Sequence, residues 1–380
     1  IQFSRIAFHP ILFPLVFCLA LLIFIKSWKN TKYLYLTALG FGLALYTYNS
    51  ARVFVPLFIL GLVYKFKNHL FKAWKQTLIA CIIFLPIFIL LFSFWISPEG
   101  MTRVKSLGGI ETNPIQILIN YLSYFSPIFL FFLGDPNFRH SPPGIGQLHF
   151  LELITVSVGV FFLYQEKSQR RYILLLWLLL YPIPAALTAP EHALRAIVGA
   201  PLFSIFSGYG LSRLADKFQL RQKTFSYLTI FFIALSLTWY MNCYFLAYPT
   251  YSTHKIWRYG MKEALLYAQN RGDNCIRVSN QFKHMHIFIL FYTQYNPSLY
   301  QHSSIDESRS AEGNSGYSIG KYHITPISKE LVVKDKCLLI IKPNELKEIV
   351  AGGYEWHEVR TIRNPRGHEE IRLIEVKSKN

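Results

Sequence analysis

Charge is what this chain has least of. Only 16% of its 380 residues are Asp, Glu, Lys or Arg, and 21 are acidic. With 52% of the residues apolar, that shortage excludes a solvated, disordered chain and an ordinary soluble domain. Cysteine is scarce as well. Of the five, Cys18 and Cys81 lie inside apolar runs, Cys243 ends another, and Cys275 and Cys337 fall in the polar last third. No spacing among them suits a metal site. Cys275 and Cys337 could join as a disulfide or stay a buried thiol pair, and both readings stand. The first residues lack a basic n-region, so residues 1–25 do not read as a signal peptide. A start at Ile1 leads us to expect that the chain begins part-way through a longer protein.

What is abundant is apolar and basic. Lys and Arg number 39 against 21 acidic residues, a balance that first suggests nucleic acid. The distribution argues otherwise. Residues 1–249 hold 20 basic and 7 acidic side chains, set in short stretches between apolar runs, whereas residues 250–380 hold 19 and 14. Such an excess beside hydrophobic segments follows the positive-inside bias, and nucleic acid is not expected as a partner.

Eight apolar runs are candidate membrane spans: residues 11–25, 33–48, 53–64, 77–96, 148–164, 172–187, 196–211 and 225–246. Four basic clusters, Lys26/Lys29/Lys32, Lys65/Lys67/Lys72/Lys75, Lys167/Arg170/Arg171 and Arg213/Lys217/Arg221/Lys223, are then expected in cytoplasmic loops. A ninth run, 114–133, is interrupted by Asn120, Ser123, Ser126 and Pro127 and ends at Gly134-Asp135-Pro136, so it reads as interfacial or re-entrant. The expected fold is an α-helical polytopic membrane protein of about eight transmembrane helices plus an interfacial helix, with a small C-terminal α/β soluble domain. Residues 1–249 form the membrane region and 250–380 the extracytoplasmic domain. In that domain helices are expected at 254–270, 282–294 and 343–350, strands at 275–278, 337–341, 356–362 and 370–376, and a mobile loop at 303–320.

Polar groups at the ends of apolar helices are expensive unless they line a cavity or bind something. Three such groups share the non-cytoplasmic face in this topology. Tyr46-Thr47-Tyr48-Asn49-Ser50-Ala51-Arg52 could cradle a lipid phosphate, or form an aromatic belt with a snorkelling Arg. In Pro190-Glu191-His192-Ala193-Leu194-Arg195, His192 and Arg195 share a helical face at a helix start and suit an anion; the bland alternative is a capping Glu191 with a solvated Arg. Gly134 to Gly144 forms a rigid turn in which Asp135, Arg139 and His140 are candidates to hold an acceptor or orient neighbours, and a structural Asp–Arg pair is the expected role of Asp135. His149 and Glu152 are a weaker fourth candidate.

These segments, with Phe3-Ser4-Arg5, Gly40-Phe41-Gly42-Leu43-Ala44-Leu45 and Tyr181-Pro182-Ile183-Pro184, resemble the polyprenyl-phosphate-dependent glycosyltransferases of the GT-C superfamily. The likeness is to bacterial relatives of the dolichyl-phosphate-mannose protein mannosyltransferases and of the aminoarabinose lipid A transferases. It covers most of residues 1–250. It implies an inverting hexosyl- or pentosyltransferase of the plasma membrane that moves a sugar from a polyprenyl-phosphate donor to an extracytoplasmic protein, lipid or glycan acceptor. No redox cofactor is implied, and a divalent cation is left open. Arg195, His192, Arg52, Tyr48 and Tyr46 match the lipid-phosphate side. In such enzymes a carboxylate in the first large non-cytoplasmic loop activates the acceptor, and that loop would precede Ile1. The catalytic base is therefore expected upstream, with Asp135 no substitute, and the chain is expected to be inactive by itself. The rival readings are a transporter or lipid-linked sugar flippase, against which no internal repeat is found, and a membrane anchor for the C-terminal domain.

Overall fold

A computed structural model describes residues 8–101, 109–219, 221–253, 257–301, 317–327, 337–352 and 354–377. The chain divides into two compact units, residues 1–245 and 246–380. The first is helical. Helices α1 (Leu12–Lys26), α2 (Tyr33–Thr47), α3 (Ala51–Lys72) and α4 (Trp74–Trp95) are followed by the short α5 (Pro114–Ser123) and a single π-turn, Ile128–Phe132. Helices α6 (Glu152–Gln165), α7 (Gln169–Leu180), α8 (Ile183–Ala186), α9 (Gly199–Lys217) and α10 (Gln222–Asn242) complete the unit.

Among the described residues, four helical stretches are long and apolar enough to cross a membrane: His9–Lys26, Ala51–Lys72, Trp74–Trp95 and Gln222–Ser252. Tyr33–Thr47, Glu152–Gln165 and Arg171–Ala186 are apolar but shorter. The character of α4 follows from its sequence. It is apolar around its whole circumference, and only Leu91 of its residues is buried, so the rest of its surface needs a nonpolar surrounding.

One expectation about this region fails. The cluster Lys65/Lys67/Lys72/Lys75 is not a simple loop: α3 kinks at Phe66, between Lys65 and Lys67, resumes through Lys72, and meets α4, which Lys75 opens, at Ala73, whose backbone leaves the helical region. Lysine is a good helix former, so a basic run between apolar segments need not end a helix. The 114–133 segment is broken as its sequence suggests. Asn113 caps α5 by accepting from the Ile115 N–H at 3.0 Å, and the helix stops before Pro127.

Aromatic rings make the centre of the helical core. The Phe17 ring lies 5.0 Å from Phe54, 5.0 Å from Phe58 and 4.8 Å from Trp177, linking α1, α3 and α7. Where α6 crosses α9 the backbones touch. A Cβ on Gly159 would fall 2.0 Å from the Phe206 carbonyl oxygen and one on Gly210 1.8 Å from that of Thr155, so glycine is obligatory at both positions.

The second unit is a three-layer α/β sandwich. Its elements are α11 (Tyr248–Ser252), α12 (Met261–Arg271), β1 (Ile276–Ser279), α13 (Met285–Tyr292), α14 (Pro297–Gln301), β2 (Tyr317–Ile319), β3 (Tyr322–Thr325), β4 (Leu338–Ile341), α15 (Leu346–Ala351), β5 (Glu355–Arg363) and β6 (Glu369–Lys377). The sheet order is β2-β3-β1-β4-β6-β5, with β3, β1 and β4 parallel and the other pairings antiparallel. Alternation along β4 serves both faces: Leu338 and Ile340 pack with Leu265 and Met285, Leu339 and Ile341 with Ile349. Cys275 and Cys337 form a disulfide at the head of β1 and β4.

The expected strands and hairpin in this unit are present with ends shifted by a residue or two. Three details differ. The helix expected at 254–270 begins only at Met261, since Gly260 takes a left-handed backbone. The segment expected at 282–294 is helical only over Met285–Tyr292. Strands β2 and β3 were not anticipated: Tyr317–Ile319 falls inside the loop expected at 303–320 and pairs with β3, and Tyr322-His323-Ile324-Thr325 is too short for a clear alternating pattern. Most of the loop expected at 303–320, and the Phe3-Ser4-Arg5 motif, lie outside the described residues.

Candidate functional site

The helical unit holds a cavity of about 550 Å³ between the segment before α1, the α2–α3 turn, the 134–141 turn and the 188–195 turn. Arg52, Arg139, Arg195, His9, His140 and His192 line it, together with Tyr48 and Trp95. No carboxylate is among the described lining residues. Three guanidinium groups without an acid beside the opening make a site for an anion.

The 134–141 turn is built around Asp135, which is 3% exposed. Its Oδ1 accepts from the Asn137 N–H at 2.7 Å, and its Oδ2 accepts from the Ala193 N–H at 2.8 Å and pairs with His140 Nδ1 at 2.8 Å. The carboxylate thus ties the 134–141 turn to the 188–195 turn. Gly134 enters with φ +71°, and a Cβ there would lie 2.4 Å from the Ile145 carbonyl oxygen, so only glycine fits.

The 188–195 turn is also held from α5. Buried Tyr124 donates its hydroxyl to the Ala189 carbonyl at 2.8 Å and accepts from the His192 N–H at 3.1 Å. Ser123 Oγ accepts from the Glu191 N–H at 3.3 Å, and Asn120 Nδ2 donates to the Ala186 carbonyl at 3.0 Å. Thus the polar interruptions of the 114–133 run have a purpose: they satisfy a loop backbone that has no regular partner. Glu191, with φ +48°, sits in the left-handed region without being glycine, which marks local strain at the site.

His192 lies above Asp135, its Nδ1 4.0 Å from Oδ2. Burial, reinforced by the positive charges of Arg195 and His140, pushes the His192 pKa down to about 4, so its imidazole is neutral at pH 7. Burial and the charge of Asp135 push Glu191 up. At this cavity two buried nitrogens, His192 Nδ1 and Arg52 Nε, lack a hydrogen-bond partner among the described residues. Arg52 also lies 5.9 Å from the Trp95 ring centroid. An unsatisfied guanidinium nitrogen at an acid-free cavity is the kind of orphan that a bound anion completes.

Asp135, His140 and His192 offer ligand atoms within 4.8 Å of one another, the spacing of a metal site. The donor set fits a cation poorly. Both carboxylate oxygens already accept backbone N–H groups, and Arg195 adds positive charge beside His192. We read the trio as a clamp between two turns.

Of the residues singled out in the sequence, Arg52, Arg195, His192, Tyr48, Arg139 and His140 meet at this cavity, and Asp135 lies beneath it. Tyr46 does not join them; its hydroxyl donates to the Ile87 carbonyl at 3.2 Å and its ring is exposed. His149 and Glu152 form a helix start, with the Glu152 carboxylate accepting the His149 N–H at 2.9 Å, and His149 also lines a separate cavity of about 580 Å³. His9 and Trp95 were not anticipated. His9 packs edge-on against Tyr48, with ring centroids 5.8 Å apart, and its position beside an apolar helix start was the available signal. The chain matches no protein-family model and no curated protein.

Proposed function

We propose that the helical unit binds a polyprenyl-phosphate-linked sugar and serves transfer of that sugar to an acceptor, as the resemblance to GT-C glycosyltransferases implies. The observation that carries this reading is the cavity lined by Arg52, Arg139 and Arg195, with no carboxylate among its described lining residues, in a unit whose helices expose apolar surface. A lipid phosphate needs both: cations for the head group and a nonpolar surrounding for the tail.

In this reading the acceptor hydroxyl attacks the anomeric carbon, the bond from that carbon to the phosphate oxygen breaks, and the arginines take up the charge that grows on the departing phosphate. That stabilisation is strongest where water is excluded. Asp135 is a positioning residue, because its lone pairs are engaged in holding His140 and Ala193. The proton acceptor is the loop carboxylate that the resemblance implies. Eight spans, with the four basic clusters cytoplasmic and residues 250–380 extracytoplasmic, belong to the same proposal and rest on the placement of Lys and Arg.

The test is photo-crosslinking of the full chain in liposomes with a photoactivatable undecaprenyl-phosphate-linked sugar. Labelling is expected on peptides around the cavity, and about ten-fold less in Arg52→Ala and Arg195→Ala, the scale of one charge-assisted hydrogen bond. Equal labelling of both variants and the parent chain refutes the reading.

A further inference from the structure

The α/β unit contains a second cavity, of about 470 Å³, whose position follows from topology. Strands β1 and β4 are adjacent and parallel. The chain leaves β1 through α13 towards β2 and β3 on one side of the sheet order, and leaves β4 through α15 towards β5 and β6 on the other. Neighbouring parallel strands whose onward connections diverge open a crevice beyond their carboxyl ends, where open α/β sheets bind ligands. The cavity lies there. Gln281 comes from the loop after β1, Lys342 and Asn344 from the turn after β4, and Tyr259 from the segment entering α12.

The floor of the crevice is built at some cost. Ser279, the last residue of β1, is fully buried, and Glu345, after β4, is 1% exposed. Ser279 Oγ donates to Glu345 Oε1 at 2.5 Å and accepts from the Gln281 N–H at 3.1 Å, while Glu345 Oε2 accepts from the Lys342 N–H at 2.8 Å. Burying a carboxylate is unfavourable, and burial pushes the Glu345 pKa up. Here the carboxylate locks the loop after β1 to the turn after β4. It thereby fixes Gln281 and Asn344, whose side-chain amides meet at 3.4 Å.

The lining selects the ligand class. Arg258 and Lys342 share the cavity with Glu369 and Glu370, and Glu369 is itself ion-paired with Arg363 and Arg372. A nucleotide or phosphate is disfavoured, because Ser279-Asn280-Gln281-Phe282 has no glycine to admit a phosphate to the backbone. Amides that donate and accept suit hydroxyl groups that do the same, and the partly exposed Tyr259 ring offers a face for a C–H surface. We propose that this crevice binds a neutral saccharide. The proposal does not rest on the lipid-phosphate reading of the helical unit.

The experiment is saturation-transfer NMR on the full chain in nanodiscs with the methyl glycosides of glucose, mannose, galactose and N-acetylglucosamine, with inorganic phosphate as competitor. At least one glycoside is expected to bind, and binding is expected to weaken at least about ten-fold in Gln281→Ala and in Asn344→Ala, both at exposed positions outside the core. Tyr259→Ala is expected to weaken it as well, while Arg195→Ala and added phosphate leave it unchanged. The proposal is overturned if no glycoside binds, if both amide variants bind as the parent does, if phosphate displaces the glycoside, or if Arg195→Ala abolishes binding.

Discussion

The two units place their polar groups by opposite rules. In the α/β unit charges pair across the surface, as Arg271 does with Glu375 and Arg360 with Glu263, and a buried carboxylate is answered by hydrogen bonds within one sheet edge. In the helical unit cations collect around one cavity with no acid among its described lining residues, and the buried acid, Asp135, lies beneath it holding two loops. Exposed ion pairs contribute little and are interchangeable, whereas cations gathered beside apolar helices are costly unless they line a cavity or bind something. The difference teaches where to look for binding: at the helical cavity for an anion, and at the sheet edge for a ligand that matches balanced groups.

Perturbations should therefore separate the units. The largest effect is expected from Cys337→Ser, which opens a loop of 62 residues and costs the α/β unit about 4 kcal/mol by loop-closure entropy. Calorimetry should show a lower unfolding transition for that unit while undecaprenyl-phosphate binding persists; loss of both together would break the comparison. Next is Asp135→Ala, which unpairs the buried Ala193 N–H, the part-buried Asn137 N–H and His140 and should cost the helical unit about 3 kcal/mol, read as a lower thermal midpoint without change in glycoside binding.

The units should also answer acid in opposite directions. The His192 pKa is depressed from 6.5 to about 4, so in that window the unfolded chain takes up a proton that the folded one refuses, and the helical unit loses stability as pH falls. The Glu345 pKa is raised above 4.5, so the folded α/β unit holds its proton longer, and the contribution of Glu345 grows as pH falls from neutrality towards 4.5. His192→Asn should flatten the first slope and Glu345→Gln the second; slopes unchanged in both would contradict these assignments. The smallest effect is expected from Tyr46→Phe, less than about 0.5 kcal/mol in stability, since its hydroxyl makes one exposed hydrogen bond, to the Ile87 carbonyl.

Much of the helical site was legible because its cations break a pattern. Lys and Arg otherwise gather in clusters, and Arg52, Arg139 and Arg195 stand apart at the ends of apolar runs. Asp135 was legible as part of a rigid Gly/Pro turn, but its partner, the Ala193 N–H, was not, because a backbone amide carries no residue signature. Tyr46 and Tyr48 looked alike in sequence and differ in structure because α2 ends between them, sending one ring to Ile87 and the other to His9. The α3–α4 junction was misread because lysine marks loops in membrane topology and also favours helix. In the α/β unit strands β1, β4, β5 and β6 were readable from apolar and β-branched runs, and the short β2 and β3 were not. The crevice was not, since it depends on which way the chain turns after β1 and β4, which pairing alone decides.

The claim that the helical cavity holds a lipid phosphate is tested most directly by comparing undecaprenyl phosphate with undecaprenol, which has the same tail and no anion, for binding to the full chain in nanodiscs. With two or more arginine contacts, the phosphate should bind about 100-fold more tightly, and Arg52→Ala together with Arg195→Ala should erase the preference. Equal affinity for the two lipids, or a preference that survives the double substitution, would contradict it.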